Sequence, residues 1–256
     1  MKNLAIIAVT SAITLAGAIT IYLSQTIFKY NNIKNNFPYT NATMEAYPYT
    51  NTDTPDDFKD FNVKGISFKA PDDLTSKYPD AESGLQEGIL INGSSDSDDL
   101  TVLVTDLTAP TMPKYYENDF FNSSMKRGMD KMGYKVPENL YELSVLLGTI
   151  DLKDCDKFSP SQVNSFYKLA VLRDTMKPSI LGYGDTDVVY TSTHKYYHTA
   201  DKCSCIFTEQ KNDSGNYKLE ITLYNNADPN HYQEILIIGK DSRTIQQIAN
   251  TLTVSE

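Results

Sequence analysis

The sequence predicts an α+β protein: an antiparallel sheet with helices packed on it, preceded by one N-terminal transmembrane helix. Three observations predict it. Leu4 to Phe28 is a run of 25 residues without Asp, Glu, Lys or Arg. Behind it, strand-like segments come first, helix-like segments fill the middle, and strand-like segments return, the order of an α+β domain. An apolar strand at Tyr232–Ile238 is then followed by a capped amphipathic helix, which closes the sheet.

As a helix, Leu4–Phe28 extends roughly 37 Å, enough to cross a ~30 Å hydrocarbon core with some tilt. Its hydroxyl residues, Thr20 among them, are tolerable because a helix hydroxyl bonds back to the preceding turn. Tyr22 suits the interface. A cleaved signal peptide competes with this reading, since Ala16-Gly17-Ala18 is an A-x-A site. Cleavage there would expose Ile19-Thr20-Ile21-Tyr22-Leu23, which favours retention. Residues 1–29 are therefore read as a single-pass anchor inserted in the lipid bilayer. A short N-terminal tail before a large C-terminal body places that body outside the cytoplasm. Residues 30–60 carry prolines at 38, 48 and 55 and no sustained period, which predicts a flexible linker.

The soluble domain is expected over 61–256, with a helical segment at 116–177. Val63, Ile66 and Phe68 group around Gly65 before the turn at Pro71-Asp72-Asp73. Gly88–Ile91 and Leu100–Leu107 read as strands flanking a polar loop at 92–99. That loop lacks the central Gly and closing Glu of a calcium-binding EF-hand. Phe121, Met125, Met129 and Met132 recur at helical spacing. Leu140, Leu143, Leu146 and Leu147 follow Pro137 as a second helix. Ser159-Pro160-Ser161-Gln162 is a capping box with proline at the first helical position. It opens a third helix whose apolar positions are Val163, Phe166, Leu169, Ala170 and Leu172. Strands are expected at 187–193, 203–208, 217–224 and 232–238, and Asp241 caps the last helix.

Gly65-Ile66-Ser67-Phe68-Lys69-Ala70-Pro71 resembles the opening of Mog1/PsbP-like domains. The strand Ile235-Leu236-Ile237-Ile238 with the helix Ile245–Leu252 is similar to that family's close. The resemblance implies a Mog1/PsbP-like sandwich, here with an enlarged helical middle, since 113–180 is longer and more helical than the family pattern. The family's functions vary among partner-binding and photosystem roles, so no functional residue is carried over.

The net charge of −10 repels phosphate backbones, so nucleic acid is not an expected partner. Eighteen tyrosines and no tryptophan suit a recognition surface, because tyrosine gives rigid contact area with a polar tip. Four of the six His and Cys residues lie within 194–205. A hairpin with 188–198 paired to 203–209 sets His198 opposite Cys203, with Cys205 on the same face. His198, Cys203 and Cys205 are thus candidate zinc ligands, while His194 is about 13 Å away along the strand. The competing reading is a half-buried strand carrying two small apolar cysteines. Ser123-x-x-Lys126 and Ser165-x-x-Lys168 lie in predicted helices without the accompanying K-T-G element, so no catalytic residue is assigned. Gly182-Tyr183-Gly184-Asp185 is read as a turn. The functional expectation is a membrane-anchored, extracytoplasmic binding or scaffolding domain for a protein or cell-envelope component. The alternative is an enzyme of unrecognised type or a zinc protein built on the 198–205 hairpin.

Overall fold

A computed structural model describes residues 2–37, 40–47, 54–77, 88–92, 100–108, 119–175, 190–199, 203–212 and 215–254. Of the loop expected at 92–99, Asn92 ends a strand and residues 93–99 lie outside the described residues, as do the glycine turn at 182–185 and the hairpin tip at 200–202. The chain divides into two compact units. One comprises Met1–Ala42, Pro113–Glu138 and Leu146–Ile180, the other Thr43–Met112, Asn139–Val145 and Leu181–Glu256.

The first unit is helical. Its elements are α1 (Lys2–Asn36), α2 (Ser123–Lys131), the second half of α3 (Leu140–Thr149) and α4 (Pro160–Thr175). The expected stripe on α2 is real: Met125 and Met129 are buried, and Asn122 caps the helix by accepting from the Met125 amide at 3.1 Å. Gly128 permits close approach of α4, because a Cβ there would overlap the Ser161 carbonyl oxygen and the Ser165 side chain. On α4 the apolar face falls where the spacing predicts it. The capping box forms differently from expectation. Gln162 Oε1 accepts from the Asp156 amide at 2.7 Å, because the turn before Pro160 folds back beneath the helix.

Three observations bear on the N-terminal segment and the linker behind it. Among the described residues no helix is long and apolar enough to cross a membrane. The polar end of Leu4–Phe28 meets protein instead: Thr26 is buried, and Tyr22, Gln25, Thr26 and Lys29 face Pro160, Val163 and Asn164 across a cleft of about 180 Å³. Lys29 Nζ donates to Asn164 Oδ1 at 2.7 Å and lies over the Tyr167 ring. The expected flexible linker is also structured at its start. α1 continues through Asn36 and buries Ile33 completely, with Phe37 edge-on to Tyr167. Arg173, buried on α4, then fixes the chain after α1, donating to the Asn41 carbonyl at 2.8 Å and the Ile150 carbonyl at 3.3 Å. A period-based reading misses this because a single buried ionic residue, not an apolar stripe, orders the connection.

The second unit is a mixed α+β body. Its strands are β1 (Glu45–Ala46), β2 (Phe58–Val63), β3 (Ile66–Pro71), β4 (Thr75–Lys77), β5 (Gly88–Asn92) and β6 (Thr101–Thr108). After the helices come β7 (Tyr190–Thr199), β8 (Cys203–Asn212), β9 (Tyr217–Asn225), β10 (Asp228–Gly239) and β11 (Thr253–Val254), with α5 at Ser242–Asn250 before β11. Eight strands form one sheet in the order β1-β7-β8-β9-β10-β6-β5-β4, antiparallel except for the β1–β7 pair. A smaller sheet has the order β11-β3-β2. The group around Gly65 is its hairpin turn: Val63 pairs with Ile66, and Lys64 and Gly65 both take positive φ. The core joins Ile66, Phe68 and Ala70 of the small sheet to Val104, Phe207, Ile221 and Ile235 of the large one, with Ile245 and Ile248 of α5. Asp241 caps α5 as expected, accepting from the amides of Arg243 and Thr244.

Candidate functional site

The β7–β8 hairpin is the one place where sequence chemistry and structure converge. β8 lies between β7 and β9, so both of its edges are paired, and residues on both of its faces are buried. Alternation sends Cys203, Cys205 and Phe207 toward the apolar core. Ser204, Ile206, Thr208 and Gln210 go to the opposite face, where all four are also buried. A half-buried strand was one expectation for this segment; the second buried face comes from neighbours that periodicity alone does not reveal.

The register differs from the expected one. Thr199 pairs with Ser204 and His198 with Cys205, not with Cys203. β7 continues one residue further than expected, in line with the preference of hairpins for short loops. His194 lies opposite Glu209, well up the strand. Among the described residues no three His, Cys, Asp or Glu side chains come together in a group that could hold a metal ion. His198, Cys203 and Cys205 are all described: the two cysteines lie two residues apart on one face of β8, with His198 opposite Cys205. The neighbouring Cys205 draws the Cys203 thiol down to about 7 against the opposing effect of burial. Cys203 and burial together hold the Cys205 thiol well above its ordinary value. Burial lowers the His198 imidazole. Cys155, the third thiol, is buried in the helical unit, where desolvation pushes it up to about 12.

The face of the sheet that carries Ser204 forms a second cluster. Cross-strand pairing aligns Lys195, Thr208 and Glu220 in one row, and Tyr197, Ile206, Thr222 and Glu234 in the next. Lys195 is only 8% exposed, and burial brings its amine down to about 8, with the Glu220 charge opposing. Lys218 Nζ approaches Glu220 Oε2 at 3.6 Å. Burial raises the Glu234 carboxyl, and the Glu220 charge adds to that. Beyond these rows lies an aromatic group. The Tyr224 ring sits 5.4 Å from Tyr141 and 5.8 Å from Tyr232. Tyr141, with Met44 and Ile206, forms a small buried cluster there. The Tyr141 hydroxyl donates to the His198 carbonyl at 3.0 Å and lies 2.7 Å from Thr199 Oγ1, tying α3 to the hairpin end. Ser204 Oγ donates to Asn226 Oδ1 at 2.8 Å. None of these polar rows is apparent from motif spacing; the signal lies in the alternation of β9, where Lys218, Glu220, Thr222 and Tyr224 interleave Leu219, Ile221 and Leu223.

The chain is similar to the solution structure of cyanobacterial PsbP (CyanoP) from Synechocystis sp. PCC 6803. The match has 9% identity and a TM-score of 0.38 and covers 81% of this chain and 98% of that one. The likeness is a weak one, to a PsbP-like fold. No protein-family model matches the sequence. No curated protein matches it either.

Proposed function

We propose that this chain is a membrane-anchored, extracytoplasmic binding or scaffolding module, attached to the bilayer through its N-terminal helix. The observation that carries the reading is the exposure of apolar side chains on α1: Leu15 is 63% exposed, Ile19 50% and Ile21 62%. They continue an uncharged sequence that begins at Leu4. Such a row of isolated large apolar groups is stabilised by lipid, whereas water gives it no partner. Thr20 and Ser24 direct their hydroxyls to the carbonyls one turn back, which removes the polar objection to insertion.

The packing of α1 refines the anchor. Tyr22, Gln25, Thr26 and Lys29 line a cleft against α4, so the inserted stretch is placed before them, at Leu4–Ile21, although Phe28 is 74% exposed. Leu4–Ile21 spans roughly 27 Å as a helix, a length suited to a hydrocarbon core of about 30 Å. Because α1 runs unbroken into its packing with α4, the helical unit is joined to the bilayer by a rigid element instead of a tether.

Alkaline carbonate extraction of cells expressing the full chain tests this reading. The full chain is expected to stay in the membrane pellet, and a variant lacking residues 2–21 to appear in the supernatant with an unchanged melting temperature. Release of the full chain, or an N-terminal sequence starting after Ala18, would overturn the anchor. Protease added to intact cells is expected to degrade the body of the protein; full protection would overturn the extracytoplasmic orientation.

A further inference from the structure

Charge divides unevenly along the chain. The helical unit holds thirteen Lys and Arg against eight Asp and Glu, a net +5, whereas the remainder holds ten against twenty-five, a net −15. The basic unit is the one that α1 belongs to. Within it α4 runs parallel to α1: Asn164 meets Lys29, and further along Arg173 meets the Asn41 carbonyl. The start of α4 is therefore its end nearer the apolar half of α1. Asn164 to Pro160 covers roughly 6 Å of helix and Lys29 to Ile21 roughly 12 Å, so Pro160 stands about 6 Å short of Ile21. That distance matches a headgroup layer, given about 40–45 Å for a whole bilayer and about 30 Å for its hydrocarbon core.

Phe158, just before α4, is 52% exposed, a large ring presented at this end of the unit. Its loop is held in place: Asp156 Oδ1 accepts from the Phe158 amide at 2.9 Å, and Gln162 Oε1 accepts from the Asp156 amide. Lys157 Nζ lies 5.1 Å from the centre of the Phe158 ring. Lys131, at the end of α2, reaches the Ser161 hydroxyl at 3.5 Å. Both lysines are exposed. The acids nearby are Asp130 and Asp156, the second engaged by the Phe158 amide. A ring flanked by long-stemmed cations suits a bilayer interface, where the ring meets the acyl boundary and the ammonium groups stay among the phosphates.

We propose that Lys157 and Phe158, with Lys131, form a second point of bilayer attachment that selects anionic phospholipid. Phe158 enters the interfacial layer, and the two lysines pair with lipid phosphates. The inference rests on the anchor proposed above and adds what the anchor does not supply. A single helix tilts and rotates in a bilayer, and a second contact fixes both. The charge balance favours this unit for the role, since a net +5 is drawn to an anionic surface that repels a net −15.

The chain has no tryptophan, so Phe158→Trp places a single indole at the loop. The full-length variant is reconstituted into vesicles of phosphatidylcholine alone or in an equal mixture with phosphatidylglycerol, with bromine on the acyl chains near the headgroup as quencher. In the anionic vesicles the indole is expected to shift its emission to the blue and to be quenched. A second variant, Val171→Trp, sets the baseline, since this exposed position lies roughly 16 Å beyond Pro160 along α4 and away from the bilayer. Adding Lys131→Glu and Lys157→Glu to Phe158→Trp is expected to lower the docked-to-undocked ratio roughly tenfold or more. Raised salt should act in the same direction without further substitution. A chain that does not float with the vesicles overturns the anchor and this proposal together. A chain that floats, with position 158 quenched no more than position 171, overturns this proposal alone. So does equal quenching in the two kinds of vesicle, or quenching that survives both lysine substitutions.

Discussion

On β9, Leu219, Ile221 and Leu223 are at most 4% exposed and enter the apolar core, while Lys218, Glu220, Thr222 and Tyr224, one residue out of step, project from the other side. The two faces share every strand and every ladder hydrogen bond, so backbone pairing cannot account for their difference. The core face is what burial favours: aliphatic and aromatic groups with no polar atom to satisfy. The other face is polar, yet Ser204, Thr208, Gln210 and Lys195 on it are all less than 9% exposed. Polar groups removed from water this far weaken the fold unless they are paired. The core face stabilises through apolar burial, whereas the polar face stabilises only as far as its buried groups are paired.

The largest effect should come from breaking the core face. Phe207 is 2% exposed, with its ring stacked on Tyr47 at 4.2 Å between centroids. Phe207→Ala is expected to lower unfolding free energy by about 3–5 kcal/mol in urea titration. A loss under about 1 kcal/mol would mean that this side of the sheet is not the main core.

The opposite sign is expected across the sheet. Lys195 has a folded-state pKa of about 8, below the 10.5 of a free lysine, so the unfolded chain binds more protons between those values. Burial of the charged form weakens the fold fully below pH 8, and wild-type stability from this group rises with pH toward 10. Lys195→Met should therefore stabilise the protein at pH 7, by on the order of 2 kcal/mol, and the gain should shrink as pH rises from 8 to 10. Tyr224 limits the range at the upper end. Its folded pKa is raised to about 12, so the stability it contributes is complete below the usual tyrosine value near 10 and is lost above it. Melting temperatures of wild type and Lys195→Met from pH 7 to 10 measure the difference. A variant destabilised at pH 7 would show that the amine is a net contributor to the fold, and the contrast between the faces would fail.

Much of this architecture was legible in the sequence. Strands β6, β8, β9 and β10, the stripe on α2, the apolar face of α4 and the Asp241 cap follow from period and capping chemistry, which are local. Three features were not. The packing of Tyr22–Phe37 on α4 depends on contacts about 135 residues apart, such as Lys29 with Asn164, which no local pattern encodes. Arg173 looks like one more solvent-exposed charge, beside Lys168 and Asp174 on an amphipathic helix, until its carbonyl partners are seen. At the hairpin the strand pair was legible but its register was not. A shift of two residues preserves the alternation of faces, so Cys203, Cys205 and His198 stay on one face in either register while their cross-strand partners change.

The smallest effect, and the finest probe of the two faces, concerns Tyr141. Its ring belongs to the polar face through Tyr224 and Ile206, and its hydroxyl reaches the His198 carbonyl and Thr199 Oγ1 at the end of the hairpin. Tyr141→Phe keeps the ring and deletes the tie. Thr199 is exposed, so water replaces part of what is lost. The expected loss is about 0.5–1 kcal/mol, with faster amide hydrogen exchange at Cys205 and Phe207 and little change at Leu219 or Ile221 on β9. Those amides separate a local tie from a global one. Uniform acceleration along β8, β9 and β10 would show that the hydroxyl holds the whole sheet, and that the polar face contributes to stability as the core face does.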